Sequence, residues 1–154
     1  MQKLILCTTS TKNSGKTEFL KKVIEKFEKE RCNVVFKSET DKWGDLYAVF
    51  TVNGKKVLIQ TNGDDEEAFI RIEKLVSKHS VDVIICPTRS RGQEQYNFLV
   101  DFAEKKKYKV FWFRHFFMEE HPESIPGISR ILDKANNELA SSIFNFVKKY
   151  LKDG

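Results

Sequence analysis

Lys3-Leu4-Ile5-Leu6-Cys7-Thr8-Thr9-Ser10-Thr11-Lys12-Asn13-Ser14-Gly15-Lys16-Thr17 is the stretch whose reading decides the fold. Lys3 to Thr8 is a short, mostly aliphatic run with the length and composition of a strand buried on both faces. From Lys16 to Arg31, Phe19, Leu20, Val23, Ile24 and Phe27 recur at the spacing of an amphipathic helix. Between the two lies only a tight loop. A tight loop opening a helix turns successive backbone N–H groups inward, and the helix N-terminus adds partial positive charge. Together they make a cradle for an anion.

Outward from this unit, strand and helix alternate. Asn33 to Ser38 reads as a second strand centred on Val34-Val35-Phe36. Leu46 to Val52 and Lys55 to Thr61 are two more, joined by Asn53-Gly54, a pair suited to the two positive φ angles of a tight hairpin. Asp65 to His79 reads as a helix with Phe69, Ile72, Leu75 and Val76 on one face. Val81 to Cys86 is a buried strand stopped by Pro87, Gly92 to Lys107 a helix, and Lys109 to Phe113 the last strand. A loop with Pro122, Pro126 and Gly127 leads to a final helix from near Ser129 to about Leu151. The pattern predicts one α/β domain over residues 1–154: a three-layer sandwich with a mainly parallel sheet. One antiparallel strand comes from the hairpin, with Leu46 to Val52 expected at an edge. In such sheets ligands bind beyond the carboxyl ends of the strands.

Composition sets outer bounds. Of 154 residues, 40% are hydrophobic and 32% charged, which excludes a disordered or collagen-like chain. Apolar runs fall far short of the ~20 residues that span a bilayer, and the N-terminal one is too short for a signal peptide. Cys7, Cys32 and Cys86 are odd in number and lie in or beside apolar runs without C-x-x-C spacing. They read as buried reduced thiols in a cytoplasmic protein. The net charge of +5 suits anionic partners, from nucleotides to nucleic acid. The densest basic run, Lys105-Lys106-Lys107 with Lys109, closes a predicted helix, where lysines complement the helix dipole.

Ser10 to Thr17, between strand and helix, resembles the P-loop (Walker A) pattern G-x-x-x-x-G-K-[ST], with Ser10 at the position of the first glycine. The resemblance implies a P-loop NTPase-like fold. It implies that Ser10, Thr11, Lys12, Asn13, Ser14 and Gly15 cradle phosphates, that Lys16 reaches the β- and γ-phosphates, and that Thr17 ligates Mg2+. Asn13 to Thr17, the helix, and Val34-Val35-Phe36-Lys37 look like the small NTPases of the molybdopterin-guanine dinucleotide biosynthesis protein B type. Those are grouped with ParA-like and signal-recognition GTPases. No [NT]-K-x-D guanine motif occurs, which favours ATP and leaves GTP open as the alternative.

Further candidates follow from the strand ends. Val57 to Asp65 resembles the hhhh-D-x-x-G element of GTPases, with Gln60 at the Asp position and Gly63 where an amide meets the γ-phosphate. Asp64 and Asp65 either serve metal or water, or cap the helix that begins there. Glu39 and Asp41, in the loop Ser38 to Asp45, are candidate metal-side acids, and Trp43 there covers the site, stacks on a base or packs under its own loop. Arg89 and Arg91 follow the strand ending at Cys86. They suit a second phosphate or the charge developing in phosphoryl transfer, the alternative being a solvated loop. Phe113 to Met118 is an aromatic cluster suited to an adenine pocket, a partner surface or packing on the last helix.

Three functions remain open. One is an Mg2+-dependent NTPase that regulates a partner. Another is a small nucleotide kinase: such kinases share this size and architecture, and Arg89 and Arg91 suit an acceptor, but the sequence has no long arginine-bearing lid segment and no D-R-[YHS] acceptor motif, Pro87-Thr88-Arg89-Ser90 resembling one without its Asp. The third is a nucleotide-binding module associated with nucleic acid and without turnover.

Overall fold

Leu4 and Leu6 enter one apolar core and Ile5 and Cys7 the other, the two-residue alternation of a strand covered on both faces. A computed structural model describes residues 1–9, 15–89, 92–117 and 126–153. Its elements in chain order are β1 (Lys3–Thr9), α1 (Lys16–Lys29), β2 (Asn33–Lys37), β3 (Tyr47–Val52), β4 (Lys55–Gln60), α2 (Glu66–His79), β5 (Val83–Thr88), α3 (Glu94–Lys106), β6 (Tyr108–Phe113) and α4 (Ile128–Asp153). The six strands form one sheet in the order β2-β3-β4-β5-β1-β6. α1 and α4 cover one face, where Phe27 meets Phe50 and Phe144 at ring-centroid distances of 5.4 and 5.0 Å. α2 and α3 cover the other. This is the expected three-layer α/β sandwich.

Asn53 and Gly54 turn the β3–β4 hairpin with φ of 50° and 77°, as their sequence requires. β3 is the single antiparallel strand, but it is not at an edge. It pairs antiparallel with β2 on one side and with β4 on the other. β2 therefore runs parallel to the remaining strands and takes the edge itself. All five β2 residues are exposed, and its pairing is broken by a bulge between Val34 and Phe36. Bulges are a common way to blunt an open edge.

Pro87 does not end β5, contrary to expectation. β5 continues beside β1 through Pro87 and Thr88. Its pairing with β4 stops at Ile85, so Pro87 has a partner strand on one side only, where a missing N–H is tolerated. The other boundaries differ from the expected ones by one or two residues; α2 begins one residue late because Asp65 is its N-cap.

Candidate functional site

At the carboxyl end of β1, Gly15 adopts φ +79° and forms the N-cap of α1. That left-handed conformation suits glycine. Lys16 is 5% exposed, and its Nζ donates a 2.9 Å hydrogen bond to Asp64 Oδ1. The Arg89 Nε lies 3.3 Å from the same oxygen, at ion-pair distance but without hydrogen-bond alignment. One carboxylate thus stands between the two cations that sequence reasoning selected from separate loops. Ser10, Thr11, Lys12, Asn13 and Ser14 of the phosphate loop, and Arg91, lie outside the described residues.

Asp64 arrives from two strands away. β4 is not the neighbour of β1, since β5 lies between them. The segment after β4 must cross the end of β5, and it does so at Gly63. A Cβ on Gly63 would sit 2.1 Å from the Pro87 carbonyl oxygen, so only hydrogen fits there. Asn62 Oδ1 accepts from the Asp64 N–H at 3.0 Å, and Gln95 Nε2 of α3 donates to the Asp64 carbonyl at 2.9 Å. The two readings of the acidic pair divide between its members. Asp65 caps α2, accepting from the Ala68 N–H at 2.9 Å, and Asp64 faces Lys16.

Thr17 donates to Asp45 Oδ1 at 2.9 Å. The Thr61 hydroxyl donates to the same oxygen at 2.8 Å and accepts from the Leu46 N–H at 3.0 Å. Asp45 is thereby fixed beside Thr17 by β4 as well as by its own loop. The acids expected on the metal side, Glu39 and Asp41, make no hydrogen bond to Thr17 among the described residues; Asp45, the last acid of the same loop, does. Asp41 braces its own turn, accepting from the N–H groups of Trp43 and Asp45 at 2.8 and 2.9 Å. Glu39 is exposed. The available signal was that Asp45 alone of the three abuts the strand beginning at Leu46. Trp43 does not pack under its loop: it is 76% exposed, with Lys42 Nζ 5.1 Å from its ring centroid.

Gln60 is fully buried and structural, its Nε2 donating to the carbonyls of Asn62 and Ala68. Gln60 Oε1 and Thr88 Oγ1 are buried without a hydrogen-bond partner among the described residues. In the aromatic cluster, His115 is buried. Its Nδ1 lies 3.0 Å from Thr8 Oγ1, and its ring stacks on Phe19 at 5.4 Å. Asn136 of α4 bonds both the N–H and the carbonyl of Phe116, each at 2.9 Å. This part of the cluster therefore packs on α1 and α4, while the Phe116 side chain remains 53% exposed.

All three cysteines are free, Cys7 and Cys86 buried and Cys32 half-buried. Burial, and then the neighbouring Cys86, push the Cys7 thiol well up, which favours its neutral form. No described helix is long and apolar enough to cross a membrane. Among the described residues no group of three or more His, Cys, Asp or Glu could hold a metal ion.

The chain matches no protein family model, no curated protein and no solved structure.

Proposed function

We propose that the chain binds a nucleoside triphosphate, ATP, with Mg2+ beyond the carboxyl ends of β1 and β5, and hydrolyses it as a cytoplasmic, partner-regulating NTPase. The observation that carries this reading is Lys16. A lysine one residue into a helix, behind a left-handed glycine, keeps its ammonium group buried at the sheet end with Asp64 as its anion. Burying a cation is costly unless an anion meets it. Asp64 meets that need in this structure, and a phosphate would meet it equally.

The residues present fit the Mg2+ of a nucleotide complex. Mg2+ takes few protein oxygens and completes its shell with water and phosphate. The paired Thr17 hydroxyl and Asp45 carboxylate supply hard oxygen donors of that kind, without a protein cage of acids. When bound, the metal would offset charge on the phosphate oxygens. Lys16 would hold the β- and γ-phosphates in place of the Asp64 carboxylate. Asp64, so released, would lie close enough to orient a water. Arg89, half-buried beside it, suits the charge that develops on a transferring phosphoryl group.

Arg89 also favours a second reading, a small nucleotide kinase in which it holds the acceptor. γ-Labelled ATP with Mg2+, with and without mixed nucleoside monophosphates, separates the two. The proposal expects inorganic phosphate in both reactions, with Arg89→Ala lowering kcat and leaving KM for ATP nearly unchanged. Label in nucleoside diphosphates, with Arg89→Ala raising the acceptor KM, would make the chain a kinase. Saturable binding with neither product would make it a binding module.

A further inference from the structure

The sheet edge farthest from the hairpin has an unusual surface. Residues 105–117 carry five cations, Lys105, Lys106, Lys107, Lys109 and Arg114, and no carboxylate. All five are exposed. Four of them bracket β6 and Lys109 lies within it; among the described residues β6 pairs only with β1, and no described strand covers its other side. At the centre of this strand, Phe111 and Trp112 are 44% and 38% exposed. Register places Phe111 beside Leu6, on the α1–α4 face, and Trp112 beside Cys7, on the α2–α3 face. Trp112 lies nearly flat on Tyr96 of α3, centroids 4.6 Å apart and planes 18° from parallel. Lys109 Nζ sits 5.5 Å from the Phe111 ring centroid.

From this juxtaposition we infer that the β6 edge is a binding track for single-stranded nucleic acid. Cations at both ends of a strand of six residues, ~20 Å long at ~3.3 Å per residue, match the charge of a phosphodiester backbone. The exposed rings between them offer faces on which unpaired bases stack, whatever their sequence. A duplex hides those faces. A lipid surface fits less well, because a plane that buries Phe111 on one face of the sheet turns away from Trp112 on the other. A protein partner fits less well too, since the buried centres of such interfaces are depleted of lysine and this strand is framed by it. The track is distinct from the Lys16 site, and the inference does not depend on the nucleotide reading.

The chain contains two tryptophans. In a Trp43→Phe variant Trp112 is the sole indole, and its emission reports the track directly. Titration with oligo(dT) and oligo(U) should quench that emission to saturation, with affinity falling linearly in log–log against salt. Phe111→Ala, at an exposed site, should weaken binding about tenfold. Lys109→Glu should weaken binding and flatten the salt slope, whereas Lys74→Glu on α2, the same charge change elsewhere, should do neither. Circular dichroism establishes that each variant is folded. Three results would overturn the inference: no quenching by either oligonucleotide, equal loss in Lys109→Glu and Lys74→Glu, or binding to phosphatidylserine vesicles and not to oligonucleotides.

Discussion

Gly63 is the residue on which the candidate site depends without taking part in its chemistry. Its place against the Pro87 carbonyl lets the segment after β4 cross β5 and deliver Asp64 to Lys16. A methyl group there meets the carbonyl oxygen and carbon of Pro87 at 2.1 and 2.6 Å and its ring Cγ at 3.0 Å, none of them the end of a flexible side chain. Gly63→Ala should therefore cost about 1–3 kcal/mol of stability, a fall of roughly 2–12 °C in Tm, measurable by thermal denaturation. A Tm within error of the wild type would show that the crossing is looser than described. The sequence marked Gly63 for a different reason, an amide near phosphate, because the motif was legible and the close approach was not. Asp45 was passed over for a similar reason. Three acids in one loop are equivalent along the chain, and only proximity to Thr17 and Thr61 separates them.

Elements were easier to read than their neighbours. The helices and strands appear where apolar periodicity put them, and the Asn53-Gly54 turn took the two positive φ angles its residues favour. Strand order was another matter. A hairpin fixes that β3 pairs with β4, but nothing local states on which side β2 joins, and β2 took the edge that β3 was expected to occupy. β6 shows how an edge is anchored. Its first residue, Tyr108, is buried, and its hydroxyl donates to the Val81 carbonyl. Burial, and then the Asp82 charge, push this phenol well above its ordinary value. The neutral form is thus favoured by folding. That stability is fully present below the unfolded phenol's pKa of about 10 and is lost as pH rises from there toward the raised folded value. Urea midpoints should accordingly fall with pH above about 10. Tyr108→Phe should lose about 1 kcal/mol at neutral pH through the missing hydrogen bond, yet show a flatter alkaline decline. Parallel declines in the two proteins would remove Tyr108 as the cause.

At the scale of the whole molecule, two sheet faces are filled by helices, and the polar chemistry collects at one end of the sheet. The start of α1, the segments after β4 and β5 and the loop leading into β3 bring Lys16, Thr17, Asp45, Asp64 and Arg89 together, although they are spread over more than seventy positions of the chain. The central claim is that Lys16 is held there for phosphate. Isothermal titration of the wild type and Lys16→Ala with Mg-ATP, at matched ionic strength, tests it most directly. The account predicts one saturable site in the wild type and affinity weakened about tenfold to a hundredfold in Lys16→Ala, the loss of one charge-assisted contact. Circular dichroism should show both proteins folded. Equal affinity in the two proteins, or no binding heat in the wild type, would contradict it.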